Sequence, residues 1–220
     1  MSLRVTYEHE LDALNADLKQ MALMAEHAIE ETFVAFEDQD FERAEDVIKG
    51  DRNVNDMERA IEARCLSLIL RQQPVACDLR KVSTALKVVT DIERIGDHAS
   101  DIAELILRLK SDHAYHIVKH LPVMAQAAQE MVRDAIEAFI KQDLEEAARI
   151  IKKDDEVDAL FNQVKTDVIS LLKASPGQAD QAIDLLMVAK YLERIGDHAV
   201  NVCEWTQFSK TGALKNVRIM

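Results

Sequence analysis

The seven residues Glu-Arg-Ile-Gly-Asp-His-Ala occur twice in the chain, as Glu93–Ala99 and as Glu193–Ala199. Each copy follows an apolar residue, Ile92 or Leu192, inside a long segment of helical periodicity. Identity at seven positions, one hundred residues apart, marks a duplication, so the chain should fold as two copies of one unit. The spacing supports this beyond the heptapeptide. Gln39-Asp40-Phe41-Glu42-Arg43-Ala44 answers Gln142-Asp143-Leu144-Glu145-Glu146-Ala147, and Asp51 with Asn55 answers Asp154 with Asp158.

What the unit can be is limited by its scarcity of helix breakers. Among 220 residues there are five Gly and three Pro, with 48% hydrophobic and 30% charged residues, a composition that favours an all-α protein. Apolar positions recur at helical spacing almost from end to end. Helices are expected over about 5–37, 41–71, 76–110, 118–141, 144–173 and 179–209, with ends good to about 2–4 residues. Asp40 is placed as the N-cap of the second, Pro74 as the stop after it, and Pro122 in the first turn of the fourth. Ser175-Pro176-Gly177 is the clearest turn signal, and Thr211-Gly212 ends the last helix. Long helices joined by short turns fold back antiparallel. The expected fold is therefore all-α, two tandem and sequence-related three-helix bundles over 1–111 and 112–220. Their boundary falls in the link around Ser111, Asp112, His113, Tyr115 and His116.

Charge and cysteine usage narrow the function classes. A net charge of −13 argues against a broad basic face for nucleic acid or anionic lipid. Cys65, Cys77 and Cys203 lie far apart without a Cys-x-x-Cys, and read as small apolar residues in a reducing compartment. No apolar run approaches the roughly 20 residues that span a bilayer, and no signal peptide is visible, so a cytoplasmic location is expected. No Walker loop, Gly-x-Ser-x-Gly, His-Glu-x-x-His or Glu-x-x-His is present, so no enzyme class is indicated.

The chemistry-bearing pattern is acidic. Residues four apart share one helix face, so Glu93, Asp97 and Asp101 form a row on the third helix. Glu193, Asp197 and Asn201 form the matching row on the sixth. The core stripe of the third helix is Val88, Ile92, Ile95, Ala99, Ile102 and Ile106, and the row starts at its edge and rotates away. Such a row is most often a solvated helix face. Here it is duplicated, and Asp51/Asn55 and Asp154/Asp158 repeat the spacing on the preceding helices. Each half could then gather four carboxylates and one amide, for which a cation is the natural compensation. Arg94 and Arg194 project from the other side of their helices and read as poor partners for the rows. A glycine inside a helix costs roughly 0.8–1 kcal/mol relative to alanine, so Gly96 and Gly196 suggest close helix approach, which would bring the acidic rows together. His98 and His198 point away from the rows and read as inter-helix hydrogen-bonding groups, and most Met residues as packing.

The duplicated unit with Glu-Arg-Ile-Gly-Asp resembles the PhoU family of phosphate-signalling proteins, as does Gln73-Pro74-Val75-Ala76-Cys77-Asp78-Leu79-Arg80 leading into the third helix. The resemblance covers nearly the whole chain. It implies multinuclear iron or zinc clusters on the acidic rows and negative regulation of phosphate uptake. It also implies contacts with the ATP-binding subunit of the Pst transporter and with a PhoR-type sensor kinase. Carried over by residue, the first ligand set would be Glu93, Asp97 and Asp101 with Asp51, and the second Glu193 and Asp197 with Asp154 and Asp158. Asn55 and Asn201 stand where carboxylates would complete the pattern. A homodimer is expected, because a three-helix bundle leaves an apolar strip to cover. The competing classes are a metal-storage or carboxylate metalloenzyme bundle, and a helical scaffold whose acidic faces are only solvated.

Overall fold

The computed structural model describes residues 3–109, 118–214 and 217–218. The two Gln-Asp breaks are built alike. Gln39 and Gln142 enter the left-handed region, with φ of 54° and 55°, which ends one helix at each site. Asp40 then accepts from Arg43 N at 3.1 Å, and Asp143 Oδ1 accepts from Glu145 N and Glu146 N, each capping the next helix.

The helices are α1 (Leu3–Asp38), α2 (Phe41–Gln72), α3 (Cys77–Arg108), α4 (Leu121–Lys141), α5 (Leu144–Ala174) and α6 (Ala179–Thr211). Pro176–Gln178 forms one 3-10 turn at the expected Ser-Pro-Gly signal, and Gly212, at φ 72°, ends α6. Periodicity did not reveal a short antiparallel hairpin, β1 (Ala213–Leu214) with β2 (Val217–Arg218). The expected boundary at 111/112 falls outside the described residues.

The stripes read from spacing are the core. Val88, Ile92, Ile95, Ala99, Ile102 and Ile106 of α3 are all buried, as are Leu14, Leu18, Met21, Ala25 and Ile29 of α1. Two expectations fail at the surface. Cys77 is exposed at the start of α3, and Met187 is exposed on α6. Cys65 and Cys203 are buried, and burial pushes both thiols up to about 12, which makes them inert packing groups.

The halves are joined more tightly than two bundles on a tether. The helices α2, α3, α6 and α5 lie side by side in that order, backed by α1 and α4, which also touch. One contiguous core runs through all six. The seam between halves is the α3–α6 pair, so the two heptapeptides meet there. Their rings, His98 and His198, have centroids 5.7 Å apart. Arg108 of α3 reaches Asp184 of α6 at 3.0 Å, and Arg80 of α3 donates to Ser209 O at 3.5 Å.

Candidate functional site

Each acidic row sits where a glycine lets two helices close up. A Cβ on Gly96 would stand 3.2 Å from Val54 Cγ1, so α2 and α3 approach closely enough there that even an alanine would press Val54 back. A Cβ on Gly196 would stand 3.2 Å from Asp154 Oδ1, so on α6 the gap receives a carboxylate. The rows face these seams, one between α2 and α3 and one between α5 and α6.

In the first centre, side-chain exposure rises along α3 from Glu93 (13%) through Asp97 (27%) to Asp101 (41%), the gradient expected of a row rotating out of the core. Asn55 donates to Asp51 Oδ2 at 2.8 Å. Asp51 Oδ1, Asn55 Oδ1 and Glu93 Oε2 are buried and take part in no hydrogen bond. Burial, followed by the Asp97 charge, raises the Asp51 carboxyl, and the Asn55 amide only partly opposes this. Burial and Asp97 push Glu93 up to about 7, against the pull of Arg94, with Glu58 and Asp51 adding.

Arg94 is a correction to the helical-wheel reading. Its Nη1 reaches Asp97 Oδ2 at 2.9 Å and its Nε lies 3.3 Å from Glu93 Oε2. A long side chain folds back over one turn to its i+3 neighbour, which a wheel of Cβ directions does not show. Glu58 was missed as well. It lies seven residues after Asp51 on α2, and its carboxyl is raised by burial, by Glu62 and by Asp97, with Arg94 opposing. Two turns on from Asp51, at i+7, the same helix face would have found it.

The second centre differs. Burial, then Asp158, Asp197, Asp155 and Glu193, push Asp154 up to about 6. Asp197 is raised by burial and Glu193, with Lys190 opposing. Lys190 is ion-paired with Glu193, and its Nζ lies 5.6 Å from the centre of the Phe161 ring. Asn201 turns away from Asp154 and Asp158 toward the other half. It donates to Asp91 Oδ1 at 3.0 Å, and His198 Nδ1 lies 2.8 Å from the same oxygen. Asp101 has a related second engagement, 3.2 Å from His98 Nδ1. Burial lowers the His98 pKa although Asp101 opposes it. Asp91, a buried acid outside both rows, was not foreseen from spacing.

Both centres are oxygen-only and short of positive charge, which fits a hard or borderline divalent cation. The orphaned buried oxygens Asp51 Oδ1 and Asn55 Oδ1 are the observation that carries this fit, since buried acceptors without partners are rare, and Glu93 Oε2 beside them meets only the Arg94 ion pair without a hydrogen bond. Among the described residues no three His, Cys, Asp or Glu side chains converge closely enough to hold a metal ion as they stand. Coordination would require side-chain rotation within the rows.

The raised carboxyls fix the sign of a pH effect. Glu93 keeps its proton in the folded chain up to about 7, whereas its ordinary value is 4.5. The folded state binds the extra proton between these values, so the stabilising contribution is complete below 4.5 and is lost as pH rises through 7. In chelator, the wild type is expected to lose more thermal stability than Glu93→Gln between pH 5 and pH 7.5. Parallel melting curves for the two proteins would contradict the shift.

The profile of the PhoU domain matches residues 18–106 and 121–206, once in each half. The phosphate-specific transport system accessory protein PhoU homolog of Clostridium acetobutylicum is 40% identical over 210 residues, covering 95% of this chain and 96% of that one. The phosphate-specific transport system accessory protein PhoU of Escherichia coli is 31% identical over 199 residues, covering 90% and 83%. The crystal structure of the phosphate transport system regulatory protein PhoU from Streptococcus pneumoniae superposes with a TM-score of 0.86 at 27% identity, covering 94% of this chain and 98% of that one. The crystal structure of PhoU from Pseudomonas aeruginosa gives 0.87 at 30% identity, covering 94% and 100%.

Proposed function

The chain belongs to the PhoU family, and from that premise we propose that it is a non-enzymatic regulator of phosphate transport. It restrains uptake and phosphate-starvation signalling in the cytoplasm by contact with the ATP-binding subunit of a Pst-type transporter and with a PhoR-type sensor kinase. The observation that carries this reading is the agreement of relatives named as accessory or regulatory proteins over nearly the full chain. The acidic centres are its cation-responsive part. Iron or zinc would be held in the first half by Asp51, Glu93, Asp97 and Asp101, with Asn55 and Glu58 in the same cluster. In the second half Asp154, Asp158, Glu193 and Asp197 would hold it. A bound cation supplies the positive charge that these rows lack.

The chain's own residues link that charge to a surface. Carboxylates from α2 and α3 repel across the Gly96 seam, so the charge state of the centre sets how closely α2 lies against α3. The far end of α2 and the loop after it expose Leu66, Leu70 and Val75, and Ile169, Ile183 and Met187 are exposed on α5 and α6. Single exposed apolar side chains are ordinary, but Leu66 and Leu70 on α2, and Ile183 and Met187 on α6, are each four apart and so share a helix face, which offers contact surface for the partners. A strained backbone marks the first of these loops, with Gln73 at φ 46° and Ala76 at φ 48°.

Deleting the gene is expected to leave phosphate-starvation genes expressed, or phosphate uptake unrestrained, in phosphate-rich medium. Normal repression together with normal uptake in the deletion strain would remove the regulatory reading.

A further inference from the structure

The two acidic centres come from one ancestral unit, yet they are not served by charge in the same way. Besides Asn55 against Asp158 and Asp101 against Asn201, three registers differ in a way that bears on charge service. Lys190 stands three residues before Glu193, where the first half has Thr90 before Glu93. Phe161 stands seven residues after Asp154, where the first half has Glu58 after Asp51. Four residues further on, Lys165 takes the register of Glu62. Each of these three removes a carboxylate from the second centre or adds a cation to that register, while Asp158 for Asn55 adds one carboxylate and Asn201 for Asp101 removes one.

The consequences are visible in the side chains. Thr90 turns its hydroxyl to Leu86 O of its own helix, at 3.4 Å, and offers nothing to Glu93. Lys190 pairs with Glu193, and the Phe161 ring lies under its ammonium. A cation over an aromatic face is held electrostatically and loses little mobility that it had not already lost to its ion pair. In the first centre Arg94 bridges Glu93 and Asp97 from the outer rim, where it is half exposed. It leaves Asp51 Oδ1, Asn55 Oδ1 and Glu93 Oε2 buried without a hydrogen bond. Among the described residues, no oxygen of Asp154, Asp158, Glu193 or Asp197 is left in that condition. Asp154 has instead swung into the gap over Gly196.

We propose that Lys190 is a tethered counter-cation that makes the centres unequal: a divalent cation loads first between α2 and α3, and the second centre takes one only by displacing Lys190 from Glu193. This rests on the reading of the rows as cation centres. The displaced lysine is a specificity element, since it tunes the affinity of one centre without being a ligand. It also divides the response, because the first half then senses low cation concentrations and the second half only higher ones.

The test is calorimetric titration of the chelator-stripped full chain with Zn²⁺ alone and with Mn²⁺ alone. Wild type should show two affinity classes separated by about two- to fivefold, the scale of one partly screened charge interaction. Asp97→Asn should remove the tighter class and Asp197→Asn the weaker. Lys190→Thr, which installs the residue of the first half, should tighten the weaker class by about two- to fivefold. Lys190→Met should do the same while keeping an unbranched apolar stem over Phe161. The gain should vanish in Lys190→Met/Asp197→Asn. Thr90→Lys, which supplies the missing cation to the other centre, should weaken the tighter class, and it tests the idea even if both Lys190 variants fold poorly. Equal affinities in wild type, loss of the tighter class in Asp197→Asn, or Lys190 and Thr90 variants with unchanged binding would overturn the inference while leaving the cation reading intact. No saturable binding in wild type would overturn both.

Discussion

Gly96→Leu is expected to destabilise the protein by about 2–3 kcal/mol, the upper part of the range for an overpacked core. The position is tight for any side chain, since a Cβ would already meet Val54 Cγ1 at 3.2 Å and Val54 is itself 3% exposed. Leucine extends well past that point, so α2 must move away from α3, and Asp51 moves with it. For a chain of this size the loss corresponds to a fall in Tm of roughly 4–12 °C. Val54→Ala opens space opposite the new side chain, so the double variant should recover more than 1 kcal/mol relative to the sum of the singles. Gly196→Leu should cost less. Its tightest neighbour, Asp154 Oδ1 at 3.2 Å, is the free end of a side chain that can rotate aside, and Val157 Cγ1 at 3.6 Å and Met131 Cε at 3.9 Å are at ordinary contact distance. Urea unfolding of wild type, the two glycine variants, Val54→Ala and the double variant measures all of this. Equal costs at the two glycines, with no rescue by Val54→Ala, would mean that close approach is not why Gly96 is there.

The helices were legible because their signals are local. Gln39-Asp40 and Gln142-Asp143 each combine a residue that enters the left-handed region with a carboxylate that caps the next turn, and both operate within five residues. The acidic rows and the core stripe of α3 were legible for the same reason, since helix geometry alone places them. What spacing could not give is how a long side chain folds and what a neighbouring helix presents. Arg94 was assigned to the wrong face because its guanidinium travels a full turn from its Cβ to reach Asp97. Asn201 was grouped with Asp197 by register, yet its amide is claimed by Asp91 of α3, a partner from the other half. That pairing requires knowing that α3 lies along α6, and a picture of two bundles standing apart conceals it. Lys190 and Phe161 were passed over because likeness between the halves was sought, whereas the charge balance of the second centre lies in their differences.

Asp97→Asn is expected to be more stable than wild type in chelator and less stable than wild type when the cation is supplied. Without a cation, the Asp97 charge is among the causes that raise Asp51, Glu93 and Glu58, so removing it relieves three unfavourable interactions at once. It also breaks the ion pair with Arg94, but that guanidinium is half exposed, and such pairs contribute about 0–1 kcal/mol. With a cation at about 100 times its dissociation constant, a site present only in the folded state adds about 2.7 kcal/mol, which the wild type gains and the variant does not. The two melting curves should therefore cross as Zn²⁺ is raised, with wild type rising by roughly 5–11 °C in Tm. Asp197→Asn separates the halves, since it should keep the gain that appears at low Zn²⁺. If both variants rose as wild type does, the stabilising ion would sit elsewhere. If none rose, Asp51, Asn55 and Glu93 would be buried acceptors that the fold tolerates without compensation, at a cost of about 1–3 kcal/mol each.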